Sequence, residues 1–235
     1  MNKSQKQSGF VLITSLILLT VLSLLGIMAL RGSIFEERVT ANDRDIAYAR
    51  ENAELALRDA ERDIQGIRFD GSYCAAVVCT NLRPTSSRPI DATESANFWR
   101  ADNEVMSAEI VALENGGAGG GTTTQGVYTA QSSAQCGMPV WSGANWQDGV
   151  ARTCTGTFSF SLPTVAYGTF TDAPFTNPST LPPRYMMEMF MPSDLNISST
   201  SSKLFFRITA VGFGRTLAPN GARTSVTLQS VYSPL

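Results

Sequence analysis

The sequence predicts an α+β protein in which one long amino-terminal α-helix, hydrophobic in its first half and amphipathic in its second, packs on an antiparallel β-sheet. Three observations predict it. Residues 10–30 form an apolar run without a charge, whereas 15 of the 38 charged residues (18 basic, 20 acidic) fall between Arg31 and Asp63. A helical period of apolar residues continues through that charged region towards Gln65. Three strand-like segments separated by turn formers lie within residues 184–232.

The apolar run is interrupted only by Thr14, Ser15, Thr20, Ser23 and Gly26. At ~1.5 Å rise per residue its length as a helix is about 30 Å, the hydrocarbon thickness of a bilayer. Lys3 and Lys6 precede it and a single Arg31 follows, so the excess of positive charge predicts a cytoplasmic amino terminus and an exported remainder. No small-residue cleavage site of the secretory kind follows Leu30, so the helix is expected to remain attached. Beyond it, Phe35, Val39, Ile46, Ala49, Ala53, Leu57, Ala60 and Ile64 recur at helical spacing and predict one apolar face. Glu54 and Arg58 stand four apart in the favourable order. The alanines at 49, 53, 56 and 60 would let a sheet approach closely. Gly66 predicts the stop, giving one helix over residues 10–65. A coiled-coil dimer is the other use of such a stripe, but large residues are not sustained at both seam positions.

In the remaining body, residues 185–191, 203–211 and 225–232 are rich in aromatic and β-branched residues and partly alternate, as strands do. Short connections such as Ala218-Pro219-Asn220-Gly221 favour antiparallel pairing. Residues 156–162 and 166–171 are candidates for further strands. Gly212 and Gly214 suit a strand end or bulge, and Arg207 is expected on the face opposite Ile208. Trp99, Trp141 and Trp146 are expected to fill core and loops.

Composition excludes several functions. The near balance of charge argues against nucleic-acid binding, which needs a basic patch. There is no histidine, so triads and His-ligated zinc are ruled out. Residues 116–121, GGAGGG, lack the Lys-Ser/Thr of a phosphate loop, and Ser142 lacks the G-x-S-x-G elbow. No catalytic residue, cofactor or metal is predicted, and the chain is not expected to be an enzyme.

The junction Lys6-Gln7-Ser8-Gly9-Phe10-Val11-Leu12-Ile13 resembles the prepilin signal of type IV pilins, a basic leader ending in Gly before Phe and an unbroken apolar helix. At the other end, Pro183-Arg184-Tyr185-Met186-Met187-Glu188, Phe206-Arg207-Ile208-Thr209-Ala210-Val211-Gly212-Phe213-Gly214 and Leu228-Gln229-Ser230-Val231-Tyr232 are similar to the PRY-x-x-E, F/Y-R-I-T-A-x-G-x-G and L-Q-S-x-Y blocks of the PilX group of minor pilins. The resemblance implies a type IV pilin-like fold with a leader at 1–9, a hydrophobic transmembrane and polymerisation helix at 10–30, an amphipathic helix at 31–65 and a periplasmic domain at 66–235. Within that domain, residues 69–177 would form a variable middle and 184–232 the sheet.

The resemblance further implies that prepilin peptidase cleaves after Gly9 and that Phe10 becomes the N-methylated first residue. Partners would be other minor pilins and the major pilin through the amino-terminal helix, the inner membrane before assembly, and a PilC/PilY-type tip adhesin. The implied function is a structural subunit that primes pilus assembly for adhesion and twitching. In most pilins the fifth mature residue is Glu, taken to pair with a neighbour's terminal ammonium. Here it is Thr14. A lone carboxylate in lipid is costly, so Glu belongs where a cation waits, and its absence suits a subunit at the filament tip with nothing ahead of it. Two other readings are a K-type minor pseudopilin of type II secretion, which also lacks the Glu, and a signal-anchored envelope binding module.

Four cysteines, Cys74, Cys79, Cys136 and Cys154, would form disulfides in an oxidising exported compartment, with three possible connectivities. The local pairings Cys74–Cys79 and Cys136–Cys154 are expected. A four-thiolate zinc site is the competing use, but only Cys74 and Cys79 have the usual ligand spacing.

Overall fold

A computed structural model describes residues 8–73, 100, 126–130, 134, 136–147, 152–155, 159–177, 180–196 and 202–234. By contacts the chain divides into two units, Met1–Arg44 and Asp45–Leu235.

The first unit holds the start of helix α1, which runs over Ser8–Gln65. From Phe10 to Arg44 every described side chain is exposed, the apolar ones included. The helix is long and apolar enough to cross a membrane. Phe35 and Val39, expected on a packed face, are among the exposed residues.

The second unit is a sheet with the rest of α1 across one face. Its strands are β1 (Val127–Thr129), β4 (Val165–Ala166), β5 (Arg184–Phe190), β6 (Phe205–Leu217) and β7 (Arg223–Tyr232). Two more, β2 (Arg152–Thr155) and β3 (Ser159–Leu162), pair with each other as an antiparallel ribbon. In the main sheet β5, β6 and β7 are antiparallel neighbours, with Glu188 opposite Arg207 and Thr209 opposite Gln229. The outer side of β5 is covered in succession by β4, antiparallel to Arg184 and Tyr185, and by β1, parallel to Met187–Met189 in register. The α+β arrangement of a long helix on an antiparallel sheet is as expected for β5, β6 and β7, and the three-residue β1 adds one parallel pairing that makes the whole sheet mixed. Of the further candidate strands, residues 159–162 are one, but 166–171 is mostly a turn in which Gly168 takes a φ of 77°. That left-handed conformation ends a strand.

Alternation sets the two faces of β5 and β6. Tyr185, Met187, Met189, Phe206, Ile208 and Ala210 point into one core with Ala56, Ala60 and Ile64 of α1. Met186 points the other way, into a second cluster with Tyr128, Val140 and Leu162, against which Trp141 and Trp146 pack. Burial on both faces explains why 185–191 reads as a nearly continuous apolar run instead of an alternating one.

The helix meets the sheet through small residues. Ala49, Ala53, Ala56 and Ala60 are fully buried, so the alanine stripe is the contact face. Ile46, expected on it, is exposed, and Glu54 lies beside Arg50 at 3.4 Å instead of serving Arg58. The closest approach is at Gly212, where an added Cβ would stand 2.0 Å from the Ala49 carbonyl oxygen and 2.3 Å from the Ala53 nitrogen. Gly212 is thus an interior notch of β6 over which the helix backbone lies, in register with Val226, and neither a strand end nor a bulge. The pairing irregularity falls between Phe213 and Leu217, so Gly214 sits at its start. Gly66, at φ 73°, terminates α1.

Replacing Gly212 with Ala forces the helix off the sheet and is expected to cost about 3 kcal/mol. Thermal or urea unfolding of Gly212→Ala against Gly221→Ala, where nothing lies within 4 Å of the added methyl but φ is 79°, separates overlap from backbone strain.

Candidate assembly elements

Two sets of residues carry the functional expectations, one in each unit. In the first, Gly9 and Phe10 lie in the opening turn of α1. The Thr14 hydroxyl donates to the carbonyl oxygens of Phe10 and Val11, both at 3.0 Å. Ser15 and Thr20 likewise bond to Leu12 and Ile17. These three hydroxyls are satisfied within their own helix, which removes most of the cost of placing them in lipid. Thr14 offers neither a charge nor an unmet bond to a neighbour.

In the second unit three carboxylates lie on the buried face of α1. Asp45, Asp59 and Asp63 are 6%, 0% and 1% exposed. Asp45 accepts the backbone N–H groups of Arg215 (2.6 Å) and Thr216 (3.2 Å), which the β6 irregularity leaves available. Burial by itself would raise its pKa, but hydrogen bonds from the Thr224 hydroxyl and these N–H groups outweigh that and hold the carboxyl below its ordinary value. Asp59 holds the turn after β4, accepting the Gly168 N–H at 2.7 Å and the Thr171 hydroxyl. Here burial wins over the hydrogen bonds, and the pKa is pushed up to about 6. Asp63 accepts the Tyr185 hydroxyl at 2.9 Å. Asn52 adds a fourth polar tie, donating to the Phe213 carbonyl at 2.9 Å.

These residues were not singled out from sequence, yet a signal existed. Positions 45, 49, 52, 56, 59 and 63 are separated by fours and threes, so the aspartates share the face of the alanines. A hydrophobic count passes over them because it takes charge as a sign of exposure.

The three carboxyl-terminal blocks converge. Glu188, fully buried, accepts two hydrogen bonds from Arg207, each 2.8 Å, in a fork-to-fork pair across β5 and β6. The Arg207 guanidinium also lies 5.2 Å from the centre of the Phe190 ring. As expected, Arg207 faces away from Ile208. The Gln229 amide donates to Thr209 at 3.0 Å, joining the second block to the third. Tyr185 reaches Asp63, the Tyr232 hydroxyl accepts from Gln65 and the Phe213 carbonyl accepts from Asn52, so all three blocks also grip the helix. Arg184 donates to the Thr164 hydroxyl and carbonyl. Arg184, Tyr185, Glu188, Arg207, Thr209, Gln229 and Tyr232 are thus used in holding the sheet together or the sheet to the helix.

Cys136 is disulfide-bonded. Cys74, Cys79, Trp99 and residues 116–121 lie outside the described residues, as does the side chain of Cys154.

Two family models match, PilX N-terminal over residues 8–58 and the C-terminal part of type IV pilus assembly protein PilX over residues 84–234. The chain belongs to the PilX family. Together the matches take in both the apolar start of α1 and the three converging blocks, and they identify a minor pilin of type IV pilus assembly. No curated protein and no solved structure matches the chain.

Two outcomes test how this PilX-family body is held. Asp59 binds a proton more readily folded than unfolded, since its pKa of about 6 lies above the ordinary 3.8. Its contribution to stability therefore grows as pH falls from 7 towards 4, by at most about 3 kcal/mol. Asp59→Asn should flatten the dependence of melting temperature on pH between 4.5 and 7. Arg207→Ala strands a buried carboxylate and should cost about 2–3 kcal/mol in urea unfolding, less than a fully buried pair because the Arg207 side chain is 33% exposed. Glu188→Gln with Arg207→Met should recover much of that loss.

Proposed function

We propose that this PilX-family minor pilin acts at the tip of the filament or in the complex that initiates it, and primes polymerisation for adhesion and twitching. The observation that carries the reading is Thr14. On cleavage after Gly9 it becomes the fifth residue of a chain beginning at Phe10. There its hydroxyl is turned back onto the carbonyls of Phe10 and Val11. A subunit joining behind others needs a carboxylate at this depth to meet the ammonium of the one before it. The first subunit meets none, and a lone charge in hydrocarbon costs at least about 2.5 kcal/mol. A neutral, internally bonded threonine fits that place.

On this reading prepilin peptidase releases Phe10 and the terminus is N-methylated. The chain is held in the inner membrane with residues 10–30 spanning it, the leader in the cytoplasm and the body in the periplasm. The apolar rod then packs against those of other minor pilins and the major pilin, and the body presents a PilC/PilY-type adhesin. The oxidising periplasm supports pairing of Cys136 with Cys154 and of Cys74 with Cys79.

Mass spectrometry of the mature chain should show N-methylated Phe10, and an intact Met1 would refute processing. Thr14→Glu should reduce the number of surface pili about tenfold without lowering the level of the protein, because the added carboxylate finds no cation. Unchanged pilus number in that variant would remove the basis of the tip assignment. Non-reducing peptide mapping decides the two disulfides.

A further inference from the structure

The turn that follows β4, residues 167–172, is closed over a buried carboxylate. It gives Asp59 of α1 two donors, the Gly168 N–H at 2.7 Å and the Thr171 hydroxyl, and both Asp59 and Thr171 are fully buried. Phe170, between the two donors, enters the core shared with α1. Further ties run to the segment after the helix. The Phe69 N–H donates to the Thr171 carbonyl at 2.8 Å, and Arg68 pairs with Asp172 at 3.0 Å. The turn bends through two left-handed residues, Gly168 at φ 77° and Asp172 at φ 55°. The second carries a Cβ, so the closed form holds some backbone strain.

The charged and titratable groups around Asp59 do little for its anion. On α1, Asp63 repels it, and Arg62, which attracts it, is drawn over the Phe69 ring at 5.1 Å. On the turn, Tyr167 is a neutral phenol whose pKa is pushed above the ordinary 10 by burial and then by the Asp59 charge. Arg68 is engaged by Asp172 and Asp70, and Tyr185 of β5 donates to Asp63. Lifting the turn away would return Asp59 to water. The anion gains most from that release and the neutral acid least.

We propose that the 167–172 turn is a proton-controlled latch: with Asp59 protonated it stays on α1, and with Asp59 ionised it lifts off while helix and sheet remain packed. The helix does not need this turn to keep its place, because the alanine seam and the bonds of Asp45, Asn52 and Asp63 hold it to β5 and β6. On the near side of the turn β4 stays paired with β5. The sign follows from the two states of the carboxyl. Closed, its pKa is about 6, and open, in water, it returns to the ordinary 3.8. Opening is therefore rarest below about pH 4, rises as pH passes from 4 to 6 and levels off above that. Between pH 4.5 and 6.5 the open fraction grows about 20-fold. Acid tightens this latch, whereas it would weaken the tie at Asp45, whose carboxyl is held below its ordinary value.

Amide hydrogen exchange of the full chain in detergent tests this, read at Phe69, Gly168 and Asp172 and corrected for the intrinsic effect of pH. These amides should lose about 20-fold in protection from pH 4.5 to 6.5, with a shallow dependence on urea. Met187, whose N–H donates to the Gly126 carbonyl inside the sheet, should stay more strongly protected and respond steeply to urea. Asp59→Asn should abolish the pH dependence at the turn. Asp172→Asn removes the pair with Arg68 but leaves Asp59, and should keep it. Thr171→Val deletes a donor that favours the anion and should carry the loss of protection to higher pH. Turn amides that match Met187 in protection and urea response would overturn the latch, since the turn would then open only with the whole body. Protection that ignores pH, or a pH dependence that survives in Asp59→Asn or vanishes in Asp172→Asn, would overturn it too. Should Asp59→Asn not fold, Thr171→Val decides, and a pH profile identical to that of the unaltered chain would count against Asp59.

Discussion

The fold depends on how closely one helix can lie on one strand. Four alanines on α1 and a glycine at 212 bring backbone against backbone at the centre of the sheet. Alanine buries little area, so this seam gains less from the hydrophobic effect than a leucine-rich one would. What it gains instead is proximity. With the helix axis this near, a side chain as short as aspartate reaches the β6 irregularity from position 45, the turn after β4 from 59 and the Tyr185 hydroxyl from 63. A larger residue at 49, 53 or 212 would withdraw all three.

The carboxyl-terminal blocks make sense against that seam. Each couples a residue facing the helix with one facing away. In the first, Tyr185 binds Asp63 while Glu188 binds Arg207. In the third, Tyr232 binds Gln65 while Gln229 binds Thr209. The sheet register fixes both sets at once, because a slip of one residue would exchange the faces and break every pair. Such blocks resemble the signature of a site, yet their geometry is that of a frame.

Much of this was legible in the sequence. The apolar run, the stop at Gly66 and the three antiparallel strands follow from periodicity and turn chemistry, which act locally. The exposed positions of Phe35, Val39 and Ile46 did not follow, because helical spacing shows that residues share a face without showing where the sheet ends. Burial of the aspartates was hidden for a different reason. An acidic residue on an alanine stripe is stable only if distant N–H and O–H groups arrive to meet it, and those come from residues more than 100 positions away. The parallel pairing of β1 with β5 is equally non-local.

The spacing of the three aspartates has a mechanical consequence. Over the 18 residues from Asp45 to Asp63 a helix extends about 27 Å, and the ties to the sheet lie near its start and towards its end. A pull along the helix axis loads these bonds side by side, in shear, so they share the force. A pull at right angles would open them one after another. Rigidity against sliding in this body thus comes from directional bonds at separated points, and a smooth alanine surface alone would offer little grip.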